Sequence, residues 1–285
     1  MTNAPDPRLH PYRPDLAAAW LRGRVPAERF VEGQSYHVIA PALGLRRRPE
    51  PDAALLTEAL MGERVRVFDE RDGWAWVQIE EDGYVGYARA GSLAPEAQPA
   101  THRVSVPRTF LYPQPDVKSQ PVTGVGLNAR LAIAGTEGPF AVLADGRYVY
   151  ARHVRPLRDY AQDYAAVAET LLHVPYLWGG KGFTGVDCSG LVQLALHAAG
   201  HPCPRDSDMQ EAALGVPVDT HGFAALHRGD LVFWKGHVGL MVDGERFLHA
   251  NGHHMQVVIE PLHEAVDRIA RLYGGVTGIR RVVPE

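Results

Sequence analysis

The stretch Val186-Asp187-Cys188-Ser189-Gly190-Leu191-Val192 decides how the C-terminal half of this chain folds. A polar turn runs here into apolar residues at helical spacing, which predicts a helix over 188–199, stopped by Gly200, with Cys188 at or just inside its N-terminus. The unpaired N–H groups and the dipole at a helix start favour a thiolate. Beside an imidazole they bring a cysteine pKa from ~8.5 into the ~3.5–7.5 range. Taken alone, a cysteine opening an apolar helix reads as a small core residue. Its company decides the matter.

Downstream, Gly236-His237-Val238-Gly239-Leu240-Met241 sets a histidine at the head of a β run, and Phe247-Leu248-His249-Ala250 ends the next run in another. Two antiparallel strands turning at Asp243-Gly244 would bring the rings together. His237 would then take the thiol proton while His249 holds its other ring nitrogen, the arrangement of nucleophile, base and orienter used in covalent catalysis.

Around this centre, 159–172 reads as a helix with Tyr160, Tyr164, Val167, Leu171 and Leu172 at helical spacing, and 206–214 as another, capped from the PRDSD run. The strand candidates LVFW, HVGLMV, RFLHA, QVVIE and GIRRVV follow. Helices first and an antiparallel sheet later is the α+β order. Towards the N-terminus the texture is different. YHVIA, ERVRVF, WAWVQI and GYVGYA are short β-type runs separated by Asp-Gly turns, as in a small all-β barrel. RVSVP, ARLAIAG, FAVLA and RYVYARHVRPL echo them, and setting 83–93 against 147–157 pairs aromatic and Ala-Arg positions, which suggests two copies of one unit. The expected organisation is an arm over 1–33 with a short helix at 15–21, a first barrel over 34–95, a linker at 95–99, a second barrel over 100–157, and the cysteine-bearing domain over 158–285.

At 285 residues the chain has room for several modules, and its 46% apolar and 22% charged residues are those of a folded globular protein. A net charge of -4 argues against a nucleic-acid partner, which would need a basic excess. No run of ~18 apolar residues suggests a membrane span. The N-terminus lacks the ~7–15-residue apolar core of a secretory signal, so a cytoplasmic location is expected. Cys188 and Cys203 are the two cysteines, too few for a disulfide framework, and Cys203 reads as structural.

PYLWGG (175–180), DCSGLV (187–192), GDLVFW (229–234), GHVGLMV (236–242) and HANG (249–252), in this order and spacing, resemble the NlpC/P60 family of papain-like cysteine peptidases over about residues 160–285. The resemblance implies a multidomain fold of two SH3-like barrels followed by an α+β papain-like domain. Its implied substrates are peptidoglycan-derived peptides, in the manner of the subgroup that cuts between D-γ-glutamyl and the diamino acid when the N-terminal L-alanine is free. It makes Cys188 the nucleophile, His237 the base and His249 the third polar member, with Tyr176 and the Cys188 amide stabilising the oxyanion. It places Asp187 and Ser189 at the substrate's ammonium and backbone, and Trp178, Asp206 and Ser207 in the pocket wall. A first-barrel tyrosine, Tyr84 before Tyr87, would close the amine end, with Glu58 or Glu63 as a further carboxylate. Asp206 also reads as a helix N-cap.

Three other readings stand beside this one. The chain has 14 histidines, with His249, His253 and His254 clustered, but HExxH is missing and a metal on His249 would remove the orienter, so neither metal nor cofactor is expected. The same thiol chemistry serves an amidase or acyltransferase. A wall-peptide-binding protein without catalysis would have no use for the three placed residues.

Overall fold

The computed structural model describes residues 5–95, 98–219 and 223–283, so Glu96 and Ala97 of the expected linker lie outside the described residues. The chain divides into two units, 1–157 and 158–285.

In the first unit Trp74–Ile79 is buried nearly from end to end, which alternation alone does not give a strand with one wet face. Both of its faces are covered. Ala75, Val77 and Ile79 point into a core with Val38, Leu45, Val65 and Ala88, while Trp76 packs on the other side with Phe68, Val85 and the arm residues Leu16, Ala17, Ala18 and Leu21. The strand belongs to a seven-stranded antiparallel sheet in the order Leu93–Ala94, Gln34–Val38, Arg64–Arg71, Trp74–Ile79, Val85–Arg89, Ala42–Arg46, Leu55–Leu60.

The arm corrects the sequence reading. Leu16–Ala18 is a strand, parallel to Arg29–Val31 and antiparallel to Tyr12–Arg13, and only a 3-10 turn, Ala19–Leu21, replaces the expected helix. Leu16, Ala17 and Ala18 are all fully buried. Extended chain sandwiched between its own small sheet and the first core hides all three, whereas a surface helix would turn one outward. Arg13 fixes the arm, its guanidinium 4.6 Å from the Trp76 ring centroid and paired with Asp15 and Asp69.

The following β region has its own core of Val104, Leu111, Val125, Ala129, Leu131, Ala141, Leu143 and Val149, joined by Met61. It includes a hairpin, Arg108–Leu111 with Thr123–Gly126, in a stretch the sequence reading passed over. The internal echo persists at the level of elements, since the strands Val85–Arg89 and Tyr148–Tyr150 both run into 3-10 turns, Ala90–Ser92 and Ala151–His153. The Ala-Arg pairs are not equivalent: Ala88-Arg89 ends a strand, whereas Ala151-Arg152 lies in the turn.

The second unit sets four helices, among the described residues, against a six-stranded antiparallel sheet. Helix α1 is Tyr164–Glu169, shorter than expected at both ends; it starts late because Asp163 caps it by accepting from the Ala165 and Ala166 amides. Helix α2 is Cys188–Ala198 and α3 is Ser207–Ala213. Helix α4, Leu262–Tyr273, was not anticipated; Leu262, Ala265 and Ile269 pack on Val232, Trp234, Met241 and Phe247 of the sheet. The sheet order is Val216–Pro217, Gly278–Arg281, Leu231–Trp234, His237–Met241, Arg246–Asn251, Gln256–Pro261. His237–Met241 and Arg246–Asn251 are thus adjacent. Among the described residues no helix is long and apolar enough to cross a membrane.

Candidate functional site

Cys188 is the first residue of α2, and the segment before it is held by Asp187. Asp187 Oδ1 accepts the Gly190 amide at 2.7 Å and Oδ2 accepts the Gly179 amide at 2.9 Å. The Arg205 guanidinium, itself almost wholly buried, donates to both oxygens at 2.9 and 2.7 Å. The Ser189 hydroxyl adds a longer contact to Oδ1, at 3.4 Å. Gly190 is a glycine for a steric reason: a Cβ there would stand 2.2 Å from the Gly180 carbonyl oxygen.

The Cys188 sulfur is buried, and the backbone amides of Ser189, on its own helix, and Val238, the neighbour of His237, favour its thiolate. The expected depression of its pKa is not what the resting site shows. Burial, and next the Asp187 charge, push the thiol up to about 12, against the two amides and Arg205, which pull the other way. A helix start cannot offset the loss of water around an ion that no cation yet accompanies.

His237 opens its strand, and its Nε2 lies 2.8 Å from Nδ1 of His249. His249 is fully buried, and its Nε2 lies 2.6 Å from Glu260 Oε1 and 3.0 Å from Asn251 Nδ2. Arg268, on α4, donates to Glu260 Oε2 at 2.6 Å and Oε1 at 2.5 Å. Burial, and then the neighbouring His249 and Arg268, bring His237 down to about 3, and burial lowers His249 as well. At neutral pH the resting site therefore holds a neutral thiol and two neutral imidazoles. Gly239 lets the strands meet, since a Cβ there would come within 2.3 Å of the Phe247 ring and 2.7 Å of His249 Cβ.

Tyr176 bridges to Val186, two residues before the thiol, and is half-buried. Burial, and then the negative charge of Cys188 as thiolate and of Asp187, raise its phenol, so it stays a hydrogen-bond donor. Trp178, two residues on, is 66% exposed. Ser189 is buried, its Oγ accepting from Arg205 at 2.8 Å. Asp206 occupies the N-cap position of α3 without a side-chain capping bond, and Ser207 is buried at the helix start. In the first unit, Tyr84 is buried in the core of the seven-stranded sheet and Tyr87 accepts from Arg13 at 3.3 Å. Glu58 and Glu63 are buried there too, Glu63 accepting the Leu60 amide at 3.0 Å. Cys203 is buried outside any disulfide, its thiol donating to the Pro204 carbonyl at 3.4 Å and its own carbonyl accepting from Gln193 at 3.0 Å.

Residues 173–269 match the NlpC/P60 family, and residues 45–93 match the bacterial dipeptidyl-peptidase Sh3 domain. A gamma-D-glutamyl-L-lysine dipeptidyl-peptidase of Bacillus subtilis is 31% identical over 223 residues, 70% of this chain and 73% of that protein. The chain belongs to the NlpC/P60 family. It is a cysteine peptidase with an N-terminal SH3-like region. A Bacillus cereus protein of the same description as the Bacillus subtilis relative is 28% identical, over 73% of this chain and 71% of its own length. The crystal structure of an NlpC/P60 family protein from Bacillus cereus shares the fold, with a TM-score of 0.74 at 23% identity over 88% of this chain and 100% of that one.

Within this NlpC/P60 centre, sequence reasoning passed over Arg205, Asn251, Glu260 and Arg268. Glu260 had a signal. His249 stands opposite Val258, and residues two apart share a face of a strand, so a carboxylate two places beyond Val258 is a diagonal neighbour of the imidazole. Arg205 had a weaker one, an arginine directly before the Asp206-Ser207 helix start. His249, His254 and Glu260 present side-chain atoms within 4.8 Å of one another, the geometry of a possible metal cluster. In this arrangement both His249 nitrogens and both Glu260 oxygens already have partners, one of them a guanidinium that repels a cation.

Proposed function

We propose that the chain hydrolyses the bond between D-γ-glutamyl and an L-diamino acid in peptidoglycan stem peptides bearing a free N-terminal L-alanine, releasing L-Ala-γ-D-Glu. The observation that carries the reading is a buried thiol at the start of α2, a helix packed on the strand His237–Met241, with His237 in contact with His249 at 2.8 Å. The dipeptidyl-peptidases among its relatives support the choice of bond.

In this reading Cys188 is the nucleophile and His237 the base. Because Nε2 of His237 is committed to His249, Nδ1 is the nitrogen for the thiol proton. As substrate enters, the S–H bond breaks, an N–H bond forms on Nδ1, and the sulfur electron pair attacks the γ-glutamyl carbonyl. Neither ion is favoured alone in the buried site, but thiolate and imidazolium stabilise each other, so proton transfer and attack are coupled. The Cys188 amide, which an α-helix leaves unused at its first residue, and the Tyr176 hydroxyl serve the developing oxyanion. The imidazolium then gives its proton to the departing amine. Water, deprotonated by His237, opens the thioester.

Trp178, Ser189, Asp206 and Ser207 form the pocket for the alanyl-glutamyl part. Asp187, bonded by Arg205 and two amides, positions Cys188 and, with Ser189, stands at the substrate's ammonium and backbone. The β region over 100–157 is a second SH3-like barrel in this reading, on the strength of its separate core and the repeated strand and 3-10 turn.

Mass spectrometry of defined muropeptides tests the reading. Free stem peptides should yield L-Ala-γ-D-Glu, and acetylating the alanine amine should cut kcat/KM at least about a hundredfold, the loss expected when a charged pocket meets no charge. Equal rates on both peptides would remove the ammonium pocket. Cys188→Ala should bind peptide without turnover, with a loss of about 10⁴-fold or more.

A further inference from the structure

The geometry points to Glu260 and Arg268 as positioning residues, a carboxylate and guanidinium clamp that selects the tautomer of His249 and, through it, the tautomer of His237 that accepts the thiol proton. This rests on the reading of Cys188 and His237 as nucleophile and base.

An acceptor and a donor compete for one nitrogen. Nε2 of His249 faces the Glu260 carboxylate at 2.6 Å and the Asn251 amide nitrogen at 3.0 Å. Glu260 calls for a proton on Nε2, and Asn251 for a lone pair. The Asn251 amide cannot turn to suit, because its oxygen accepts the His254 amide at 2.8 Å. The charged acceptor at the shorter distance wins, since a charge-assisted hydrogen bond is roughly twice as strong as a neutral one. His249 therefore carries its proton on Nε2, leaving Nδ1 bare to accept from His237 Nε2–H at 2.8 Å. His237 in turn keeps Nδ1 bare.

The other tautomer runs the chain backwards. A proton on His249 Nδ1 would point at His237 Nε2 and force the His237 proton onto Nδ1, where no thiol proton can be received. Arg268 keeps the clamp charged. With His249 bonded to Oε1 and the Arg268 fork on both oxygens, the carboxyl is held down to about 2 despite partial burial. The titratable and charged groups facing His249 are then His237 from one neighbouring strand, Glu260 from the other, Arg268 from α4 and His254 from the following loop. When His237 becomes cationic, the Glu260 charge lies two hydrogen bonds along the same relay, and no proton needs to move onto it.

Ring ¹⁵N NMR of the full-length protein near pH 7, with kcat and KM measured alongside, tests the clamp. Wild type should show His237 and His249 both protonated at Nε2. Glu260→Gln should move His249 to the Nδ1–H form that Asn251 favours and lower kcat ~10–100-fold with KM little changed, the usual cost of losing a partner one shell removed from the reacting group. Glu260→Asp should restore the Nε2–H signature and part of the rate. If Glu260→Gln fails to fold, Arg268→Gln replaces it, and there the acid limb of kcat should move to higher pH as Glu260 protonates more readily. Unchanged ring signals and kcat in Glu260→Gln, or an unmoved acid limb in Arg268→Gln, would overturn the clamp. A wild type that cuts no stem peptide would instead strike the proposed function, with the ¹⁵N pattern still deciding on the clamp.

Discussion

At Cys188 two physical demands oppose each other: a nucleophile needs charge, and a site that excludes competing water penalises it. Burial wins in the resting state, holding the thiol at about 12, so reactivity has to come from pairing with His237 rather than from a standing thiolate. The loop that presents the sulfur depends in turn on Arg205 and Asp187, both buried and joined through two hydrogen bonds. Removing one member of such a pair leaves the other charge uncompensated, at a cost of about 3–5 kcal/mol. Arg205→Met should accordingly lower the urea midpoint by that equivalent and abolish activity, while Arg205→Lys, unable to bridge both oxygens, should fall between. An unchanged midpoint in Arg205→Met would contradict the role given to the pair. Glu260 has a pH signature of its own. Its carboxyl is brought from an ordinary 4.5 down to about 2 by His249 and Arg268, which outweigh burial, so the stability it supplies is complete above about pH 4.5 and drains away as pH falls towards 2. The urea midpoints of wild type and Glu260→Gln should therefore lie furthest apart at neutral pH and converge by about pH 2; a gap independent of pH would count against the ionised pair.

Among the elements, the adjacent strands His237–Met241 and Arg246–Asn251 are what turn two histidines twelve residues apart into neighbours. Their spacing depends on Gly239. Gly239→Ala sets a methyl 2.3 Å from the Phe247 ring and 2.7 Å from His249 Cβ, and since His249 is locked by Glu260 and His237 the strands must part. The expected outcome is a loss of about 1–3 kcal/mol in stability, the range for overpacking a core, together with a lower kcat from a lengthened imidazole contact. Thermal melts and steady-state kinetics read the two effects, and an alanine variant with native kcat would show that the contact tolerates separation. The same elements explain what the sequence made legible. Cys188, His237 and His249 announce themselves because each opens or closes a run with its own periodicity. Glu260 does not, because its partnership is set by register between strands and not by spacing along one. Helix α4 has apolar residues at helical spacing, Leu262, Ala265, Val266 and Ile269, but begins straight from the strand Gln256–Pro261 with Pro261 in the cap position. No loop punctuation separates strand from helix, and Arg268 went unplaced with it. In the arm, Leu16 to Leu21 read as helical from composition, whereas burial on all sides made Leu16–Ala18 extended. Burial by a distant segment leaves no trace in a local pattern.

On the scale of the molecule, the division between Leu157 and Arg158 separates cores as well as contacts. The clusters around Val77 and around Leu131 draw all their residues from the first unit, and the cluster joining Trp234, Phe247, Leu262 and Ile269 draws all of its from the second. The ion pairs that hold the proposed centre, Asp187 with Arg205 and Glu260 with Arg268, likewise begin and end within 158–285. A segment of that size is within the ordinary range for an independently folding domain. The fragment 158–285 should therefore fold alone, unfold in one cooperative transition, and retain the Nε2–H signals of His237 and His249 in ¹⁵N spectra. Loss of cooperativity, or of those ring signals, would show that the relay needs the N-terminal unit to form. If the signals persist while hydrolysis of free stem peptides falls, the relay assembles independently and the first 157 residues contribute to substrate selection rather than to the chemistry, a separation that comparing kcat/KM of fragment and full chain on peptides with free and acetylated alanine would measure directly.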